Sequence, residues 1–242
     1  MIFDLTEQWS QIQKFKKLTS KQKSIVFYSE TEGYWSHYKP IIDELLQQEC
    51  SDQISYLSSS KNDPGLELIN CGIQAFYIGN GSLRTALLNT IDSKILVMST
   101  PDLQSFQIKR SVHPVHYVYV HHSIISTHMG YQENAFDNFD TIFCVGPHHK
   151  HEILASEKKR SIKTKNLVQH GYGRLDSITF NKNKKSKIDD NTILIAPSWG
   201  KHSILDTVGE EIIEMLLTEN FKVIVRPHPQ TMRLNKKIID RI

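Results

Sequence analysis

Short apolar runs recur along this chain, each closed by a polar loop and followed by a segment of helical periodicity. Lys94-Ile-Leu-Val-Met98, the run from Val115 to Val120, and Thr141-Ile-Phe-Cys-Val145 are β-branched, aromatic and almost uninterrupted. Such continuity belongs to strands covered on both faces, where no position is free to be polar. Ser24-Ile-Val-Phe-Tyr-Ser29, Gln53-Ile-Ser-Tyr-Leu57 and Gln74-Ala-Phe-Tyr-Ile78 extend the series. Between them lie predicted helices: a first one ending near Lys17, with Leu5, Trp9, Ile12 and Phe15 on one face; Tyr38 to Gln48, with Pro40 in its first turn; and a helix from Ser82, its N-cap, to about Ile91. Asn62-Asp-Pro-Gly65 reads as a turn, Gly146-Pro-His-His149 opens another helix, and Asn166-Leu-Val168 leads to Gly171. Strands alternating with helices predict an α/β chain built on a doubly wound, largely parallel sheet.

This pattern breaks at residues 181–190, a polar and basic stretch that reads as a linker. The expected organisation is an N-terminal Rossmann-like domain over 1–180, the linker, and the start of a second Rossmann-like domain over 191–242. The second part begins with a strand, Asn191-Thr-Ile-Leu-Ile-Ala196. It continues through Pro197-Ser-Trp-Gly-Lys-His-Ser203 into a helix with Ile204, Leu205, Val208, Ile212 and Leu216 on its apolar face. Lys222-Val-Ile-Val225 follows and closes in Arg226-Pro-His-Pro229. One strand–helix–strand unit has difficulty covering both faces of a sheet, so this domain is expected to be incomplete.

Composition narrows the functional classes. The three cysteines, Cys50, Cys71 and Cys144, are odd in number and far apart, which argues against a disulfide framework or a structural zinc site. A formal charge of +3 does not indicate nucleic-acid binding. No apolar run approaches the roughly 20 residues of a membrane-spanning helix, and the N-terminus lacks a signal-peptide apolar region. A cytoplasmic protein is expected. Lysines gather at 14–23, 158–165 and 182–187, which leaves open a peripheral contact with the inner face of the cytoplasmic membrane.

Most of the 12 histidines fall between His113 and His151. The run from Tyr117 to Tyr131 carries His121, His122, Ser123 and His128 just past a strand, where open α/β sheets receive ligands. Histidine titrates near neutrality and suits proton transfer. His148-His149-x-His151 could reach a metal, but adjacent histidines do not share one helix face and carboxylate partners are lacking, so no metal is expected. Glu30, Glu32 and Gly33 line the exit of the first strand, without a G-x-G-x-x-G fingerprint.

Val120-His-His-Ser123, Gly171-Tyr-Gly-Arg-Leu-Asp176, Ile195-Ala-Pro-Ser-Trp199 and Arg226-Pro-His-Pro229 together resemble, in order and spacing, the motifs of the CDP-glycerol glycerophosphotransferases. These are the teichoic-acid primases and polymerases, with a two-domain GT-B fold. That family carries Trp-His-Gly-Thr, Gly-x-Pro-Arg-x-Asp, Ala-Pro-Thr-Trp and Arg-Pro-His-Pro. The likeness runs from about Ile25 to Arg226. His122 keeps the family's histidine, whereas His121 stands for Trp, Ser123 for Gly, Gly173 for Pro and Ser198 for Thr. A further acidic and serine-rich segment that helps the family's polymerases hold the donor is missing here.

The resemblance implies transfer of glycerol phosphate or a related alditol phosphate from a CDP-activated donor to a hydroxyl of a cell-surface glycan precursor. No cofactor beyond that activated substrate is implied. His122 would be the general base, with Glu30, Gly33, His121 and Ser123 on the acceptor side. Arg226 and His228 would hold the donor phosphates across an interdomain cleft. Ser198, Trp199 and Gly200 precede a helix whose free N–H groups suit an anion, and Arg174 with Asp176 reads as a loop-fixing pair. Partners implied are a nucleotide-activated donor and a glycan or lipid-linked acceptor, without nucleic acid. Two alternatives stand beside this: a UDP-sugar glycosyltransferase or epimerase of the same fold, and a truncated remnant that binds without turnover.

Overall fold

Burial on both faces turns the apolar runs into a single parallel sheet. The computed structural model describes residues 2–105, 108–180 and 191–241. Strands β1 (Ile25–Ser29), β2 (Ile54–Ser58), β3 (Gln74–Tyr77), β4 (Ile95–Met98), β5 (His116–Val120), β6 (Thr141–Cys144) and β7 (Asn166–Gln169) pair in the order β3-β2-β1-β4-β5-β6-β7. Every pairing is parallel. Helices α1 (Ile2–Lys16), α2 (Trp35–Gln47), α3 (Ser82–Asn89), α4 (Thr127–Gly130), α5 (Pro147–Arg160) and α6 (Gly173–Phe180) connect and cover them.

Side chains alternate between two apolar layers. Val26 and Tyr28 of β1 and Tyr117 and Tyr119 of β5 pack with Ile12 and Phe15 of α1, Leu87 and Leu88 of α3, and Ile153 of α5. Phe27, Val97, Val118 and Val120 point the other way, into a layer that includes Tyr38 and Ile42 of α2. Full burial of side chains of this size contributes about 1.5–3 kcal/mol each, which is why apolar side chains dominate the central strands, with a few small hydroxyl residues such as Ser29 and Ser55 among them.

Three local expectations are corrected. Helix α2 begins at Trp35 rather than Tyr38, because a 3-10 turn at Glu32–Tyr34 runs directly into it. Pro40 therefore lies inside the helix, where it cannot donate to the preceding turn. In α3 the N-cap is Gly81 and not Ser82, with no side-chain cap bond. The Asn62–Gly65 turn leads into a 3-10 helix, Pro64–Cys71, with Asp63 as its cap. Asp63 accepts from the Gly65 N–H at 2.8 Å and from the Tyr56 and Ser58 hydroxyls. A Cβ on Gly65 would stand 2.3 Å from the Tyr56 ring, so only glycine fits this close approach.

Contacts divide the chain into two units, residues 1–181 and 182–242; the expected linker at 181–190 lies outside the described residues. The second unit pairs β8 (Thr192–Ile195) with β9 (Lys222–Val225) in parallel and carries α7 (Ile204–Thr207), α8 (Gly209–Thr218), α9 (Pro229–Leu234) and α10 (Lys236–Ile239). The single expected helix is broken at Val208, which adopts a non-helical conformation. The buried stripe is Leu205, Gly209 and Ile213, while Ile204 and Val208 remain exposed. Leu194 and Ile224, partners in register, are also largely exposed on this two-stranded sheet.

One ion pair ties α5 to the approach of β7. Glu157 and Lys165 are almost fully buried, and the Glu157 Oε1 accepts from both the Lys165 N–H at 3.0 Å and its ammonium at 3.2 Å. Removing one partner strands the other charge with little access to water. Lys165→Met should lower unfolding stability by roughly 3 kcal/mol, read as a shifted urea midpoint at unchanged slope. Glu157→Leu combined with Lys165→Met should recover much of that loss.

Candidate functional site

Strand order reverses between β1 and β4. From β1 the chain builds outward to β2 and β3; from β4 it builds the other way to β5, β6 and β7. Loops leaving β1 and β4 therefore diverge, and a crevice opens at their carboxyl ends, the usual ligand position in open α/β sheets. Across it the Thr100 hydroxyl donates to Glu30 Oε2 at 3.1 Å. Behind Glu30, buried Arg84 donates to Glu30 Oε1 at 3.4 Å and to the Tyr28 hydroxyl at 3.3 Å. Beside this bridge lies a cavity of about 470 Å³ lined by Tyr34, Pro101, Asp102, His122 and residues 129–132.

His122 sits at the end of β5, on the α2 side. Its Nδ1 lies 3.0 Å from the Ser99 carbonyl oxygen. A carbonyl can only accept, so Nδ1 carries the proton and the neutral ring keeps its lone pair on Nε2. The Tyr119 hydroxyl lies 3.3 Å from the same Nδ1, and the Tyr172 hydroxyl donates to the His122 backbone carbonyl at 3.1 Å. Tyr34 packs on the imidazole at 5.2 Å between centroids, with Tyr131 at 6.0 Å and His37 at 6.4 Å. Burial pushes the His122 pKa below 6.5, with the Ser99 bond opposing. Burial takes neighbouring His37 further, down to about 4, helped by His122 and Arg174. The arrangement is a neutral, oriented imidazole opening on a cavity, a form suited to accepting a proton.

His121 was expected on the same wall, and the alternation of the strand sends it to the opposite layer. It is 2% exposed, among Tyr119 at 4.9 Å, Phe136 at 5.3 Å and His149 at 4.0 Å. Among the described residues neither ring nitrogen has a hydrogen-bond partner, and burial with the nearby His149 drives its pKa down to about 2. The position is built for an aromatic ring, which accounts for the family resemblance placing Trp there. Ser123 accepts from the Ile125 N–H at 3.3 Å and so closes a turn. Glu30 and Gly33 do not line the cavity; Tyr34, next to Gly33, does.

Arg174 and Asp176, expected in a loop, occupy the first turn of α6. Gly171, at φ +82°, turns the chain, and Gly173 then packs against α2, where a Cβ would stand 2.8 Å from the Pro40 ring. That contact is the reason for glycine at this motif position. Asp176 acts on His170, opposing the burial that lowers its pKa.

In the second unit the Arg226 N–H donates to the Ile195 carbonyl at 2.8 Å, extending the β8–β9 pairing, while its side chain is exposed. His228 caps α9: its Nδ1 accepts from the Gln230 N–H at 3.1 Å. This is the reverse of His122, for in the neutral ring the proton then resides on Nε2 as a donor. Trp199 stacks on His228 at 6.1 Å and 29°. Ser198, Trp199 and Gly200 lie in the coil after β8, and α7 starts only at Ile204, so the expected helix N-terminus is not theirs. Gly200 adopts φ +105°, a conformation that favours glycine. Among the described residues no group of three or more His, Cys, Asp or Glu side chains is placed to hold a metal.

Tyr34, Asp102, Tyr131 and Tyr172 are the residues that sequence reasoning missed. Tyr34 and Asp102 follow β1 and β4, so the rule that ligands gather at strand carboxyl ends was the available signal.

Comparison with known proteins adds two findings. The family model of CDP-Glycerol:Poly(glycerophosphate) glycerophosphotransferase matches residues 10–240. A solved structure of the wall teichoic acid polymerase TagF, a histidine-to-asparagine variant soaked with CDPG, aligns with a TM-score of 0.53 at 12% identity. The alignment covers 96% of this chain and 62% of that one, so this chain spans less than two thirds of that polymerase chain. At this identity the likeness shows the fold, which is α/β and GT-B-like. No curated protein matches the chain.

The buried neutral His121 makes stability depend on pH. Its unfolded value is near 6.5 and its folded value about 2, so between those limits the unfolded chain binds the extra proton. Stability is then fully present above 6.5 and falls as pH drops, with a limiting slope of about 1.4 kcal/mol per unit from this group. His121→Phe, which keeps the ring and removes the titration, should flatten the fall in Tm between about pH 6 and 4.

Proposed function

The chain belongs to the CDP-glycerol:poly(glycerophosphate) glycerophosphotransferase family, and on that basis we propose that it transfers glycerol phosphate, or a related alditol phosphate, from a CDP-activated donor to a hydroxyl of a cell-surface glycan precursor. The acceptor oxygen attacks the phosphorus next to the alditol. The bond from that phosphorus to the bridging oxygen breaks, and CMP leaves with the electron pair. The acceptor proton passes to His122 Nε2, and the product is a phosphodiester. A hydroxyl is a poor nucleophile until its proton has a destination, and phosphoryl transfer otherwise depends on positioning and charge neutralisation.

The observation that most supports this is the His122 Nδ1–H bond to the Ser99 carbonyl, which keeps Nε2 unprotonated beside the cavity at the strand-order reversal. For the donor side we assign Arg226, whose guanidinium suits paired phosphate oxygens, and His228, whose Nε2–H is left to donate by the capping bond. Trp199, Ser198 and Gly200 border that site. The step as proposed runs on side chains alone. A glycan or lipid-linked acceptor would be met at the inner face of the membrane through peripheral contact; no helix among the described residues is long and apolar enough to cross it.

Release of CMP from CDP-glycerol tests the proposal. His122→Ala should reduce it by about 10²–10⁴-fold, and unchanged release would remove His122 from the mechanism. Turnover of UDP-sugars with no response to CDP-alditols would favour the other GT-B chemistry. Because burial lowers the His122 pKa, kcat/KM should fall on the acid side through a pKa below 6.5, as Nε2 becomes protonated. Arg226→Ala should raise the donor KM by about tenfold or more and leave the acceptor KM unchanged.

A further inference from the structure

Helix α5 is mostly polar in sequence, yet it borders a second cavity, of about 410 Å³. That volume lies within the range of small-molecule sites. Buried Phe136 and Ile153, from the apolar layer opposite α2, line it, and exposed Ala155 and Ile162 add further apolar surface. None of the groups assigned to the transfer reaction takes part in its wall.

Its charges do not balance. Histidine apart, four acids, Glu133, Asp137, Glu152 and Glu157, meet three bases, Lys159, Arg160 and Lys165. Each base already has an acid: Arg160 donates to Asp137 through two nitrogens, the Lys165 ammonium lies 3.2 Å from Glu157, and that of Lys159 lies 3.8 Å from Glu133. An entering anion would find no unclaimed cation. Glu152 is the acid left over, with no cationic partner among the described residues. Its Oε2 accepts from the Thr127 N–H and hydroxyl, at 2.6 Å each, and from the His128 N–H at 3.3 Å. Burial acts to raise its pKa, but hydrogen bonds from Thr127 and its neighbours outweigh that and hold the carboxyl below its usual value. Glu152 is therefore ionised at neutral pH, and a carboxylate has room for more than three donors. A half-buried negative charge beside apolar surface suits an ammonium carried on a hydrocarbon body.

The same carboxylate bears on the first cavity. Thr127 and His128, which it holds, open α4, and Met129 and Gly130 at the other end of that helix line the cavity of His122. Gln132 lines both cavities, so residues 127–132 stand between them as a partition. We propose that the second cavity is a binding site for a small organic amine, whose ammonium pairs with Glu152 and whose body lies on Phe136 and Ile153, and that its occupancy moves the wall of the His122 cavity through α4. An ammonium on Glu152 shares the carboxylate that fixes α4, and such a shared contact is what coupling between two sites requires. The inference does not depend on the transfer reaction.

Calorimetry at pH 8 with 2-phenylethylamine, 2-phenylethanol and 3-phenylpropanoate, which differ in charge on a common body, tests the site without donor or acceptor. The amine should bind at least about fivefold more tightly than the alcohol, and the carboxylate should bind least. Glu152→Gln should bring amine and alcohol within about twofold of each other. Ala155→Trp, at an exposed helix position, should obstruct the cavity and abolish saturable binding, and it decides the matter if the loss of the Glu152 charge unseats α4. In protein with isotope-labelled histidines, the His122 ring signal, assigned by its loss in His122→Asn, should move with amine occupancy in the wild type and stay fixed in Ala155→Trp. No saturable amine binding, equal affinity for amine and alcohol, amine preference retained in Glu152→Gln or amine binding retained in Ala155→Trp would overturn the proposal. Binding that leaves the His122 signal unmoved would do the same.

Discussion

Burial of the central parallel strands on both faces is the constraint from which the rest follows. A strand packed on two sides sends consecutive side chains to opposite layers, and at the end of β5 that rule separates two adjacent histidines. Tyr119 and His121 go to the layer of α5, where His121 is packed as a neutral aromatic ring with no hydrogen bond among the described residues. Val120 and His122 go to the layer of α2. One residue becomes core and the other lines the cavity, although their side chains are the same.

The same sheet decides where the cavity lies. Reversal of strand order between β1 and β4 opens a crevice that neither strand could make alone. Polar groups in it are held by bonds that cross the sheet's carboxyl edge: Thr100 to Glu30, His122 to Ser99, Tyr172 to the His122 backbone. Each satisfies a half-buried group that would otherwise be costly, and together they fix the imidazole by its Nδ1 side and leave Nε2 to the cavity. Buried Arg84 anchors the network from behind.

The second unit orients its own histidine by local structure. His228 is oriented by its own helix, since capping α9 through Nδ1 turns Nε2 into a donor. His122 and His228 are thus set to opposite hydrogen-bonding roles by what their Nδ1 atoms meet, a carbonyl in one case and an amide N–H in the other.

Much of this was legible in the residues themselves. Continuous apolar runs determined the strands, and their alternation with helical segments determined the α/β class, because covering both faces of a parallel strand leaves a mark at every position. The four motifs pointed to His122, Arg226 and His228 by resemblance. What the chain order could not carry was anything set by distance in space. Ser99 and Tyr172 lie 23 and 50 residues from His122, and no periodicity links them. Strand order, and with it the crevice, depends on which strands pair, so which residues of the loops after β1 and β4 share a cavity with His122 became visible only once β1, β4 and β5 were side by side. The fate of His121 also waited on the tertiary structure, since a strand's sequence fixes only that neighbours diverge, and packing decides which of them meets the core.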